Sequence, residues 1–181
     1  PVTDMMLQDP DPGDWLMWRR TLDSWGYSPL DQIDRTNVAT LRLVWTRALN
    51  TGNQQGTPLA YDGVLYMPNP GDVIQALDAT TGDLIWEHRR DLPDDLTDFM
   101  GGLVTTKRTV AIYDQLLLDT TGDDYLMALD AVTGEMVWET EILDYTINPA
   151  LQTAGPIVAN GKVISGRSCR ATATPNACVV T

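Results

Sequence analysis

Ala76-Leu77-Asp78-Ala79-Thr80-Thr81-Gly82-Asp83-Leu84-Ile85-Trp86 returns downstream, with almost the same letters, as Ala128-Leu129-Asp130-Ala131-Val132-Thr133-Gly134-Glu135-Met136-Val137-Trp138. The offset is 128 − 76 = 52 residues. A period of roughly 40–50 residues that carries strand-turn-strand patterning is the signature of a propeller blade rather than a helical solenoid. In each copy, short polar residues and then a glycine provide the positive φ of a tight connection, between two apolar strands. The fixed spacing of alanine, Thr-Gly and tryptophan predicts more than a hairpin. A small residue heading one strand leaves room for the indole of a neighbouring repeat to lie flat, so residues 78–86 and 130–138 are expected to be equivalent outer hairpins, each indole packed on the adjacent blade.

Outward from these hairpins, residues 57–67 read as strand, Asp62-Gly63 turn, strand, and residues 155–164 repeat that plan around Asn160-Gly161. Residues 103–113 fill the corresponding place in the middle repeat. Each blade is thus an opening hairpin followed by a docking hairpin, four short antiparallel strands, and no long window shows helical periodicity. The expected fold is all-β, a β-propeller of four-stranded antiparallel blades with about three blades present. Residues 51–181 would form the blades, incomplete at the C-terminus. Residues 1–50 would be an N-terminal leader lying over the surface, a lead-in segment with one helical turn capped by Thr36-Asn37, and a first strand over residues 41–45. A closed propeller needs at least four blades, so a chain of 181 residues reads as the N-terminal piece of a longer or nicked protein.

The 25 acidic residues outnumber the 12 basic ones, for a net charge of −13, which argues against a phosphate-binding surface and so against nucleic acid. The chain opens on polar sequence, and no apolar run approaches membrane-spanning length, so a soluble or already processed chain is expected. Cys169 and Cys178 bracket a short local loop; the residues alone leave a disulfide and two thiols equally open. The single histidine, His88, ends a predicted strand and is expected in solvent, and no four-ligand zinc cluster is visible.

The pattern A-x-D-x-x-T-G-x-x-x-W resembles the tryptophan-docking motif of the pyrroloquinoline quinone (PQQ) dehydrogenase propellers. A second resemblance is more specific: W-x-x-x-R from Trp15, Y-S-P-L-x-Q-I from Tyr27 and N-V-x-x-L-x-x-x-W from Asn37 are similar to the opening of PQQ-dependent alcohol dehydrogenases. Together they run from about Trp15 to Thr181. The resemblance implies an eight-bladed propeller in the intact protein, a periplasmic location, and oxidation of a small alcohol by hydride transfer to the quinone. Electrons would pass to a c-type cytochrome or similar acceptor, and the remainder of the propeller would be a further partner. The alternative is a non-catalytic propeller scaffold that binds a protein partner; such scaffolds lack the lead-in segment.

In a propeller the loops at one end converge on the axis, so equivalent positions in successive repeats are where a ligand would be held. PQQ is a flat quinone with three carboxylates and calls for cations and hydrogen-bond donors around its rim. The resemblance places Gln55 where the family commonly carries a carboxylate that bonds the quinone, Arg108 on the family arginine beside the cofactor carbonyls, and Thr153 on a threonine that bonds a cofactor carboxylate. Taken as bare residues, Arg108 also suits a surface hairpin and Thr153 any blade loop. Ser168 keeps a family serine, whereas Cys169 and Arg170 replace two small residues and Ala171 falls where methanol dehydrogenase-like members carry a calcium-ligating glutamate. Met100-Gly101-Gly102 stands where those members have adjacent cysteines.

The expected cofactor-binding set is therefore Gln55, Arg108, Thr153, Ser168, Cys169 and Arg170 in a divergent branch, with Arg167 and Arg170 adding positive charge. PQQ is the implied cofactor. Any calcium would take its ligands from outside this segment, which also holds neither the catalytic base nor a metal ligand. The implied periplasmic compartment makes a Cys169–Cys178 disulfide the expected state of the two cysteines.

Overall fold

The first repeat folds as β1 (Leu59–Tyr61), β2 (Val64–Asn69), β3 (Val73–Asp78) and β4 (Leu84–Arg89), paired in that order as an antiparallel sheet. The computed structural model describes residues 1–169, apart from the side chains of Leu103, Val104 and Cys169. β5 (Ala111–Tyr113), β6 (Leu116–Thr120), β7 (Tyr125–Asp130) and β8 (Met136–Glu141) repeat the same meander. A third blade opens with β9 (Ala150–Leu151), β10 (Ile157–Ala159), β11 (Lys162–Ile164) and β12 (Ser168–Cys169), in which β10 pairs β11 and β9 pairs β12. The fold is the expected all-β propeller architecture, two four-stranded blades and the beginning of another.

Local chemistry explains the hairpins. Asp62-Gly63 (φ 49° and 77°) and Asn160-Gly161 (φ 51° and 65°) are left-handed pairs, whose twist matches that of the strands they join. In the docking hairpins Asp78 Oδ1 accepts from the amides of Thr80 and Thr81 (2.8 and 2.9 Å), and Asp130 Oδ1 accepts from those of Val132 and Thr133 (2.9 and 2.8 Å). The register slips at the same place in both blades, between Ala76 and Leu77 and between Ala128 and Leu129.

The blades dock through tryptophan, though on a different seat from the one expected. Trp86 lies on Gly134, where a Cβ would stand 2.6 Å from the indole carbons, and its Nε1 donates to Ala131 O at 3.1 Å. Trp45 repeats this on Gly82 and Ala79 O, at 2.6 and 3.2 Å. The glycine of the turn accommodates the ring; Ala76 and Ala128 instead face Trp86 and Trp138 across their own sheets. Trp86 is 8% exposed but Trp138 is 37% exposed, since no further docking hairpin stands against it among the described residues. Arg90 adds an inter-blade ion pair, gripping Asp123 at 2.7 and 2.8 Å and Glu139 at 2.7 Å.

Several expectations change. Residues 41–45 form no ladder, yet Trp45 stands to the first blade as Trp86 of β4 stands to the second. The segment therefore occupies the place of a fourth strand of a preceding blade, with Leu43 and Val44 exposed. The middle repeat has strand only from Ala111, preceded by a 3-10 turn at Gly102–Thr105. Asn37 precedes the 3-10 turn Val38–Thr40 without capping it, because its side chain accepts instead from Asp34 N at 2.9 Å.

The leader is more than a surface covering. Val2, Leu7 and Leu16 are buried in the core, and α1 (Asp4–Gln8) is capped by Thr3. Val2 bridges Asp114, Trp15 bridges Ala60, and Asp4 accepts from Tyr113 Oη (2.9 Å) and Asn160 N (2.8 Å), so residues 2–15 reach all three blades. A second short helix, α2, spans Leu96–Met100. His88 is half-buried and not in solvent, its Nδ1 3.2 Å from Gly134 O, and burial holds its pKa below the usual value. Among the described residues no helix is long and apolar enough to cross a membrane. Arg170, Ala171 and Cys178 lie outside the described residues, and with them the Cys169–Cys178 pairing.

Candidate functional site

The segments just ahead of β1, β5 and β10 carry no sheet partner of their own and bond to one another. Thr57 N donates to Arg108 O at 2.7 Å, and Arg108 N donates to Thr153 O at 3.0 Å, which sets one residue from each blade side by side. This approach depends on Gly155, where a Cβ would lie 2.0 Å from Thr109 O.

Within residues 106–110 only Arg108 is exposed. Its Nε donates to Gln55 Oε1 at 2.9 Å and its Nη1 donates to Thr153 Oγ1. Three of the sequence-predicted site residues, one from each blade, thus form a single cluster. Among the described residues no carboxylate pairs with Arg108. The guanidinium is therefore an un-neutralised cation held in place by two neutral side chains.

Of the other predicted residues, Arg170 lies outside the described residues. Ser168 and Cys169 lie on β12, in register with Leu151 and Ala150, and among the described residues no hydrogen bond joins Ser168 to the Arg108 cluster. Arg167 turns toward protein groups: with the Gln152 amide oxygen facing it, Nε and Nη2 donate at 2.8 and 3.2 Å, and the amide nitrogen donates to Ser165 Oγ at 3.2 Å. The opposite orientation would put the amide nitrogen 3.4 Å from Asp124 Oδ1. The first serves both Ser165 and Arg167, and it leaves Asp124 beside an amide oxygen, which favours the protonated acid. Burial pushes the Asp124 carboxyl up to about 6, against the pull of Arg167. Among the described residues no group of three or more His, Cys, Asp or Glu is placed to hold a metal ion.

A buried ion cluster behind Arg108 was missed from sequence. Lys107 is 2% exposed; its Nζ donates to Thr120 O and lies 2.8 Å from Asp72 Oδ1 and 3.3 Å from Asp119 Oδ2. Burial pulls the Lys107 pKa down, and Asp119 and Asp72 outweigh it to leave it raised. Burial pushes Asp119 up to about 6, opposed by Lys107. One sequence signal was available: Asp72 and Asp124 recur at the repeat spacing, each six residues ahead of the aspartate that opens a docking turn.

Comparison with known proteins agrees with the propeller fold. The family model described as PQQ, the glucose/ethanol/alcohol dehydrogenase β-propeller domain, matches residues 15–177. The dehydrogenase subunit of the quinone alcohol dehydrogenase of Gluconacetobacter polyoxogenes is 37% identical over 169 residues, 87% of this chain and 22% of that protein. The quinohemoprotein alcohol dehydrogenase of Comamonas testosteroni is 35% identical over 142 residues, 78% of this chain and 20% of that protein. Among solved structures, quinohemoprotein alcohol dehydrogenase ADHIIG of Pseudomonas putida HK5 matches with a TM-score of 0.81 at 33% identity, over 93% of this chain and 25% of that one. A europium-containing methanol dehydrogenase matches with a TM-score of 0.81 at 26% identity, over 92% and 29%. The chain spans about a fifth of the length of these curated relatives. On the family match and these likenesses, the chain belongs to the PQQ-dependent glucose/ethanol/alcohol dehydrogenase β-propeller family.

Proposed function

We propose that Arg108, Gln55 and Thr153 form part of the grip on PQQ in a quinoprotein alcohol dehydrogenase of which this chain is the N-terminal portion. The observation that carries this is the exposed guanidinium of Arg108, fixed between side chains of two other blades and facing no carboxylate among the described residues. That donor set fits an anionic quinone: a cation with a planar fork, a neutral amide and a hydroxyl, carried on three backbone segments bonded side by side. When bound, PQQ supplies the acceptor for hydride from the alcohol carbon.

In this reading Arg108 binds a carboxylate or carbonyl oxygen of the cofactor, while Gln55 and Thr153 hold the fork in orientation. The buried side chains of Thr106, Lys107, Thr109 and Val110 exclude water from behind it. Ser168, Cys169 and Arg170 would complete the rim from the third blade. The catalytic base and any calcium ligands belong to the remainder of the propeller. The family's location implies the periplasm, and the quinohemoprotein names of relatives support a haem or c-type cytochrome acceptor.

The test is Arg108→Ala in the intact enzyme. PQQ-dependent dye reduction with alcohol is expected to fall by roughly two orders of magnitude, as for loss of a charged group that positions a reacting partner. The melting temperature should move little, because the side chain is exposed. Full turnover in that variant would remove the assignment.

A further inference from the structure

One set of buried polar contacts repeats with the blades. Asp72 and Asp124 occupy equivalent places ahead of β3 and β7, both fully buried and both in the left-handed region (φ 52° and 68°). Each reaches out of its own blade to the residue that precedes a site residue of the next. Asp72 Oδ1 lies 2.8 Å from Lys107 Nζ, next to Arg108, whereas Asp124 Oδ1 lies 3.4 Å from the end of the neutral Gln152 amide, next to Thr153, without an ion pair.

We propose that Asp72 is a positioning residue: the turn aspartate of the first blade latches the innermost segment of the second through Lys107 and so sets where Arg108 presents its side chain. The proposal deepens the reading of Arg108 as a cofactor ligand and rests on it. Residues 106–110 and 152–156 lie outside any sheet ladder, so the regular bonds that fix the strands do not fix them. Apolar packing holds depth but is non-directional and leaves a segment free to slide along the junction. Charge-assisted hydrogen bonds restrict that sliding.

Lys107 ties three places together: the blade 1 turn through Asp72, β6 through Asp119 and Thr120 O, and the inner segment of blade 2 itself. Asp72 is anchored in turn, its Oδ2 accepting from Gly122 N at 2.5 Å. A buried ammonium is a poor choice for filling space, because taking the charge out of water is costly unless it is fully paired. Its place immediately beside Arg108 is where a directional anchor matters, since recognition by a guanidinium fork tolerates only about half an ångström of displacement.

The experiment uses the intact protein with Asp72→Asn. Asparagine accepts the left-handed backbone, can still accept from Gly122 N, and leaves Lys107 paired with Asp119. Amide hydrogen exchange is read at Thr57 and Arg108, whose N–H groups bond to Arg108 O and Thr153 O. Exchange there should quicken by at least about tenfold while the β7 amides stay unchanged. PQQ affinity is measured by fluorescence quenching in a double-mutant cycle with Arg108→Ala. Asp72→Asn should weaken binding roughly tenfold when Arg108 is present and have no further effect when it is absent.

Unchanged exchange at Thr57 and Arg108, or an equal loss of affinity in both backgrounds, would overturn the latch. If Arg108→Ala leaves PQQ affinity intact, the cofactor reading fails, and the exchange result still decides whether Asp72 holds the segment. Should Asp72→Asn not fold, Lys107→Gln, which removes the charge from the other side of the same contact, is read in the same way.

Discussion

Asp124 illustrates how burial sets the chemistry of a single group. Its carboxyl sits at about 6 against an ordinary 3.8, so between those values the native state keeps a proton that the unfolded chain has released. Stability therefore falls as pH rises through the window from 3.8 to about 6, and above it the whole cost of the buried charge is present. Asp124→Asn removes the charge at a φ of 68° that asparagine tolerates. Melting curves should show the variant more stable than its parent at pH 7.5, by on the order of 1 kcal/mol, with the difference gone near pH 4. An equal difference at both pH values would mean that the effect is not proton-linked. Asp78 and Asp130 shift the other way, lowered by bonds from their own turn amides, so their contribution is present above 3.8 and is lost as acid protonates them.

The docking hairpin is the unit that joins one blade to the next. Its cost of disruption is expected to be that of a buried aromatic: Trp86→Ala should lose roughly 3–5 kcal/mol in urea unfolding of the intact protein. Gly134→Ala should lose roughly 1–3 kcal/mol without touching the indole itself, because the added methyl would meet the ring at 2.6 Å and the backbone φ is 75°. A Gly134→Ala protein as stable as its parent would show that the indole does not rest on the turn. Trp138 is expected to match Trp86 only where a following blade covers it. The Arg90–Asp123 pair reinforces the same junction, but a well-packed hydrophobic pair of similar volume could replace such a largely buried ion pair at little loss, so the indole dominates.

Across the molecule, the leader acts as a strap on blades that otherwise meet only their immediate neighbours. Asp4 alone links α1 to Tyr113 of the second blade and to Asn160 of the third. Asp4→Ala is therefore expected to cost about 1–2 kcal/mol and, more tellingly, to let limited proteolysis remove residues 1–12 at a stage when the blade strands resist cleavage. Unaltered protease resistance of the leader would show that the buried Val2 and Leu7 hold it without the carboxylate. The exposed Leu43 and Val44 and the half-open Trp138 mark two blade faces, one at each end of the partial propeller, that the rest of the intact protein is proposed to cover.

Short-range chemistry was legible in the letters alone. The Asp-Gly and Asn-Gly turns, the Asp-opened docking hairpins and their 52-residue return depend on φ preferences and hydrogen bonds within a few residues, and they fold as read. Gln55, Arg108 and Thr153 could be picked out by resemblance, because each precedes the opening strand of its repeat. Their meeting as one cluster could not, since it depends on backbone bonds between residues about fifty positions apart. Separation along the chain also hid the seat of Trp86 on Gly134, the burial of His88 against Gly134, the leader's descent into the core and the pairing of Lys107 with Asp72. Each of these is a contact between blades or between the leader and the blades, and that geometry is set by how the sheets twist and pack. The repeated sequence thus specifies the blade, and the packing of one blade on the next decides which side chains are buried, charged and turned toward a common site.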